Sequence, residues 1–276
     1  MTGMLKHGSR DPHVKLWQSL LRSQGCYNGR IDGFFGSQTT SGTRYFQMTH
    51  LDPDGVFLEV DGLVGPKTWW AGENPSGDAQ RSHIQPRIPD GLPAARKKLL
   101  IVALQAHADG VCEQPDGSNW GGGVTKILEG EDPAIWDSYF IWWCWKVAFG
   151  QVLWGKRQEQ CTAAWKVAKA QGMALTKKKY SPIPGDFFVM LYKNQHGNYT
   201  GSGHSGIILS VAPDNETFNT IEGNVGNRVK VGIRHLSQPC LVGFINPYGD
   251  DTEDITYDKV LLTGAATSSG FARGDF

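Results

Sequence analysis

An eight-residue unit that occurs twice sets the tightest limit on how this chain folds. Asp32-Gly-Phe-Phe-Gly-Ser-Gln-Thr39 returns as Asp61-Gly-Leu-Val-Gly-Pro-Lys-Thr68, so DGxxGxxT stands twice near the N-terminus. Each copy reads as a glycine turn followed by a helix start. Gly33 and Gly62 take positive φ at no steric cost, Pro66 suits a first helical position, and Thr39 and Thr68 fall in the first turn. Upstream, Asp11-Pro12 opens a helix in which Val14, Trp17, Leu20 and Leu21 share a face until Gly25 ends it. Tyr45 and Phe46 mark another helix between the turns. The expectation is a domain at residues 1–75 made of three helices in two similar halves.

Residues 76–94 are polar and rich in Pro and Gly without periodicity, the composition of a flexible tether. A second domain is expected over 95–248. It opens with helical spacing at Ala94–Ala108, passes a glycine-rich loop at 117–123, and continues through short helices at Val124–Leu128 and Gln158–Ala170. From Asp186 the period changes to strands, at Asp186–Tyr192, Ser205–Val211, Thr217–Glu222, Val229–Ile233 and Val242–Ile245. Helices followed by an antiparallel set of strands predict an α+β domain. The tail, 249–276, begins acidic, holds one further candidate strand at Ile255–Leu262, and has no function assigned to it.

Charge and cysteine usage exclude several classes. Lys+Arg and Asp+Glu both number 27 among 276 residues, so the chain has no general attraction for nucleic acid or anionic lipid. No apolar run is long enough to cross a membrane. Met-Thr-Gly-Met-Leu-Lys-His-Gly lacks the apolar core of a signal peptide, so synthesis in the cytoplasm and delivery by other means are expected. Five scattered cysteines without a CxxC pair argue against a disulfide framework and a zinc ribbon. No HExxH or similar ligand pair is present, and no metal or cofactor is expected.

One cysteine has the surroundings of a nucleophile. Cys144 lies between Pro133 and Gly150, where a helix can start with the thiol near its N-terminus, so that free amides and the helix dipole favour the thiolate. The competing reading is a core cysteine among tryptophans. Cys161 has Ala164, Trp165 and Ala168 at helical spacing and reads as core. His204 stands at the mouth of one strand, and Glu222 ends the next, with Asn224 just beyond. A three- or five-residue hairpin loop puts His204, Glu222 and Asn224 on one face; a two- or four-residue loop puts His204 opposite. Both registers remain open. A carboxylate on one imidazole nitrogen would fix the tautomer and free the other for a thiol proton.

The first segment resembles the peptidoglycan-binding domain of wall hydrolases. The resemblance rests on Gly8, Val14, Trp17-Gln18, Leu21, Gly25, Tyr27, both DGxxGxxT units, Phe46-Gln47 and Trp69. Trp17 in place of Leu and the long Asp52–Glu59 connection depart from the pattern. The second segment resembles the CHAP family (cysteine, histidine-dependent amidohydrolase/peptidase) of the papain-like superfamily. Glu113 with Asn119-Trp-Gly, Val124, Trp143-Cys144, Pro184-Gly185-Asp186, Gly203-His204-Ser-Gly-Ile-Ile and Ile221-Glu222-Gly-Asn224 carry it. The Trp-Lys-Val that follows Cys144 departs from that family's usual sequence.

The resemblance implies Cys144 as nucleophile, His204 as base, Glu222 as the residue that orients it, and Asn224 as a further polar contact. It implies a peptidoglycan hydrolase that cuts an N-acetylmuramoyl–L-alanine or stem-peptide amide without a cofactor, as a monomer. A phage endolysin released by a holin is the first expectation. An injected effector with an immunity protein, or a catalytically inactive wall-binding protein, is the alternative.

Overall fold

The computed structural model describes residues 3–74, 87–194 and 197–249, and in it each DGxxGxxT turn wraps around a buried glutamine. Helix α1 (Pro12–Ser23) begins where the Asp11 carboxylate accepts the His13 N–H. Its Gln18 oxygen accepts the Gly33 N–H at 3.0 Å, while its amide donates to Asp32, the Phe34 carbonyl and Thr39. Helix α2 (Ser37–Gln47) repeats the device. Gln47 accepts the Gly62 N–H at 2.9 Å and donates to Asp61, the Leu63 carbonyl and Thr68. Gly33 and Gly62 sit at φ of +78° and +79°, where a side chain would strain the backbone. Helix α3 (Pro66–Glu73) completes the small domain around Trp17, Leu21, Phe35, Phe46 and Val64.

The larger part places its helices first: α4 (Ala94–Ala108), α5 (Val124–Leu128), α6 (Asp137–Phe149) and α7 (Cys161–Ala170). The strands follow as β1 (Ala174–Thr176), β2 (Phe187–Lys193), β3 (Tyr199–Val211), β4 (Thr217–Glu222), β5 (Lys230–His235) and β6 (Leu241–Ile245). They form one antiparallel sheet in the order β1-β6-β2-β3-β4-β5. This is the α+β arrangement predicted from the pattern. β1 is an addition to it, and β3 starts at Tyr199, ahead of the expected Ser205. The linker segment 75–86 and the tail 250–276, with its candidate strand, lie outside the described residues.

The two faces of the sheet have different covers. Phe187, Val189, Leu191 and Ile207 pack with α4, α6 and α7. Phe188, Met190, Ile208, Phe218 and Phe244 instead join one apolar cluster with Trp17, Phe46 and Val64 of the small domain. Polar contacts rim this junction. Asn28 donates to the Gly226 carbonyl and Lys230 to the Gly25 carbonyl, each at 2.9 Å, and Gln238 donates to the Met48 carbonyl. A domain on a loose tether was expected; the small domain is docked on the sheet, because one sheet face is apolar and, among the described residues, no helix of the larger domain covers it.

Candidate active site

A bulge decides whether a site exists at all. Near the β3–β4 turn, Val211 pairs with Phe218 and Ser210 with Asn219; after a shift at Leu209, Ile208 pairs with Thr220 and Ile207 with Ile221. Continued without the shift, the first register would set Glu222 against Ile207, on the opposite face from His204. With it, Gly206 faces Glu222, and His204 and Glu222 share a face. A Cβ at Gly206 would lie 2.7 Å from the Glu222 Cγ, so glycine leaves room for the carboxylate.

The His204 imidazole lies between two carboxylates. Its Nε2 is 2.7 Å from Glu222 Oε2 and its Nδ1 is 3.3 Å from Asp137 Oδ2. Burial alone would lower the His204 pKa, but hydrogen bonds to Asp137 and Glu222 and their charges outweigh it, raising the value to about 9. Burial would raise the Glu222 pKa, yet the Arg234 charge and the His204 contact bring it down to about 2. Arg234 on β5 is fully buried and ion-paired to Glu222, and the Thr220 hydroxyl donates to the same carboxylate. The two carboxylates thus favour the imidazolium form of His204, and one of them, Glu222, has its own fixed cation in Arg234.

Asp137 reaches this group from the first residue of α6. Glu113 fixes that helix start, since its carboxylate accepts from Trp136 Nε1 at 2.9 Å and from the Asn119 N–H at 3.0 Å. The first residue of α7, Cys161, comes in from the other side. Its Sγ lies 3.2 Å from Ser138 Oγ, 3.4 Å from Asp137 Oδ2 and 3.5 Å from Ser205 Oγ. Burial pushes the Cys161 thiol well up, and the Asp137 charge adds to this, while the Ser138 and Ser205 hydroxyls work against it. The group is tightly enclosed, with His204 6% and Cys161 4% exposed.

Cys144 is not brought to this group. α6 starts at Asp137, so Cys144 is in its interior, seven residues further and about 10 Å along the axis. It is fully buried in the helix-side core, where desolvation alone pushes its thiol well up. The expected thiol at a helix N-terminus is thus corrected: the sequence from Trp136 onward has no capping side chain, and the helix begins earlier than the aromatic run suggests. Asn224 does lie at the same cleft, at φ +58°, with its amide donating to Asn119 at 3.5 Å. Asp186 is structural, ion-paired to Arg96 and accepting from Tyr180, each at 2.8 Å.

Residues 10–71 match the peptidoglycan binding domain family, and residues 131–224 match the CHAP domain family. The chain carries a peptidoglycan-binding domain and a CHAP domain. No curated protein matches the chain, and neither does any solved structure. The CHAP match includes both α6 and α7 and runs through His204, Glu222 and Asn224. Together the two domains support a peptidoglycan hydrolase, with the glycan–peptide wall as its partner. No described helix is long and apolar enough to cross a membrane.

Asp137, Cys161, Ser138, Ser205 and Arg234 were not picked out from the sequence as site residues. Two signals were available. Asp137 is the lone acid at the head of a strongly apolar helix, and Cys161 is the first residue of its helix, where a core cysteine has no particular reason to be.

Proposed function

We propose that the chain hydrolyses an amide bond of the peptidoglycan stem peptide, with Cys161 in place of Cys144 as nucleophile, His204 as the acid, and Glu222 holding His204 charged. One observation carries this reading: Cys161 Sγ, Asp137 Oδ2 and His204 Nδ1 form a continuous line of contacts, at 3.4 and 3.3 Å. As the sulfur bonds to the substrate carbonyl carbon, the thiol proton passes to Asp137. The imidazolium gives its proton to the amine nitrogen as the C–N bond breaks. The proton on Asp137 then returns to His204, and water releases the thioester, its proton restoring the thiol. Asn224, at the cleft, is a polar contact for the substrate.

A second reading is favoured by a specific feature. Asp137 lines the open cleft beside His204, whereas Cys161 does not, which suits a wall-binding protein without turnover. Mass spectrometry of muropeptides released from purified sacculi separates the two. On the hydrolase reading, Cys161→Ala stops release and Cys144→Ala leaves most of it. A folded Cys144→Ala variant that is dead beside an active Cys161→Ala overturns the assignment. A parent protein that co-sediments with sacculi but releases nothing establishes the second reading.

A further inference from the structure

The cleft at His204 is lined by both domains. Of about 240 Å³, it is bounded by Asp137, His204 and Asn224 of the larger domain and by Gln38 and Arg44 of the small one. Half of the remaining lining residues carry a hydroxyl or an amide side chain, which suits a ligand made of amides and hydroxyls.

Arg44 stands apart from the other enclosed arginines. Arg96 and Arg234 each have a carboxylate, in Asp186 and Glu222. Arg44 lies over the Tyr192 ring at 5.1 Å from its centroid, and its Nε is buried without a hydrogen-bond partner. No described carboxylate pairs with it. A half-buried guanidinium at a cleft, over an aromatic ring and with no described counter-ion, is arranged to receive an anion, and a planar carboxylate matches its paired donors.

We propose that Arg44 is a specificity-determining residue that holds a free carboxylate of the stem peptide while the peptide's amide lies at His204. The inference rests on the reading of peptidoglycan as the ligand. It makes the small domain part of the substrate site, so that it reads the peptide as well as anchoring the protein to the wall.

The test uses the full chain carrying Cys161→Ala and isothermal titration with two soluble stem peptides, one ending in a free carboxylate and the other in a carboxamide. The free acid is expected to bind about 10- to 100-fold more tightly, the range of a hydrogen-bonded charge pair. Arg44→Gln should bring both peptides to the carboxamide's affinity, with an unchanged Tm. Arg44→Lys, which keeps the charge and loses the fork, should keep part of the preference. Equal binding of the two peptides by the parent overturns the role of Arg44 alone, as does a preference that survives Arg44→Gln. If neither peptide binds the folded parent, the peptidoglycan reading fails with it.

Discussion

At the scale of single residues His204 is the centre of the buried polar group, because both of its ring nitrogens face carboxylates. Its pKa, about 9 when folded against an ordinary 6.5, is raised, so its contribution to stability is complete below pH 6.5 and is lost as pH rises through 9. Glu222 behaves in the opposite sense: depressed to about 2, it contributes above its ordinary 4.5 and loses that contribution as pH falls through 2. The Tm of the parent should therefore decline between pH 6.5 and 9, and the decline should be shallower in His204→Gln; parallel curves would mean that the ion pairs do not form. Asp137 offers a sharper probe. A thiol placed there would sit beside Nδ1, where the carboxylate oxygen is now 3.3 Å away. Asp137→Cys in a Cys161→Ala background should give hydrolysis that an alkylating agent stops. Continued inactivity of that double variant, with its fold intact, would show that His204 is not placed to serve a thiol.

Elements explain what could be read in the sequence and what could not. The repeated turn was legible because its glycines, threonines and aromatics recur in order, and the buried glutamines recur with them. Gln47→Ala should cost about 1–3 kcal/mol in urea unfolding, since it strands the Gly62 N–H in a dry interior. A loss below about 0.5 kcal/mol, the level of an ordinary surface change, would mean that the turn holds itself. The strands were legible too, from their change of period. Their register was not, because it depends on one residue, Leu209, whose bulge has no distinct side-chain signature. The start of α6 was also hidden. Apolar residues run unbroken from Tyr139 to Trp143, and no cap marks Asp137, so nothing local separates a first turn from a third. That ambiguity put Cys144 at the helix start, about two turns from where it lies.

Over the whole molecule, the telling stretch is Phe187-Phe188-Val189-Met190-Leu191-Tyr192, all buried. An antiparallel strand with one wet face alternates, whereas this one is apolar on both sides and so needs two covers. The helices supply one and the small domain the other. A chain beginning at residue 87 should consequently be insoluble or bind a hydrophobic dye strongly; a soluble, monomeric and cooperatively unfolding fragment would show that the junction is dispensable. The linker's composition, polar and rich in proline, gave no hint of this, because a connection's flexibility does not say whether the bodies it joins attract each other. The junction also limits the protein's history. Wall-binding units that hang freely can be exchanged between enzymes like fittings on a common thread. Here a transplanted unit would have to reproduce the contours that meet Phe188, Met190 and Phe218, so the two halves of this chain are expected to diverge together, and shuffling should yield misfolded hybrids more often than new specificities.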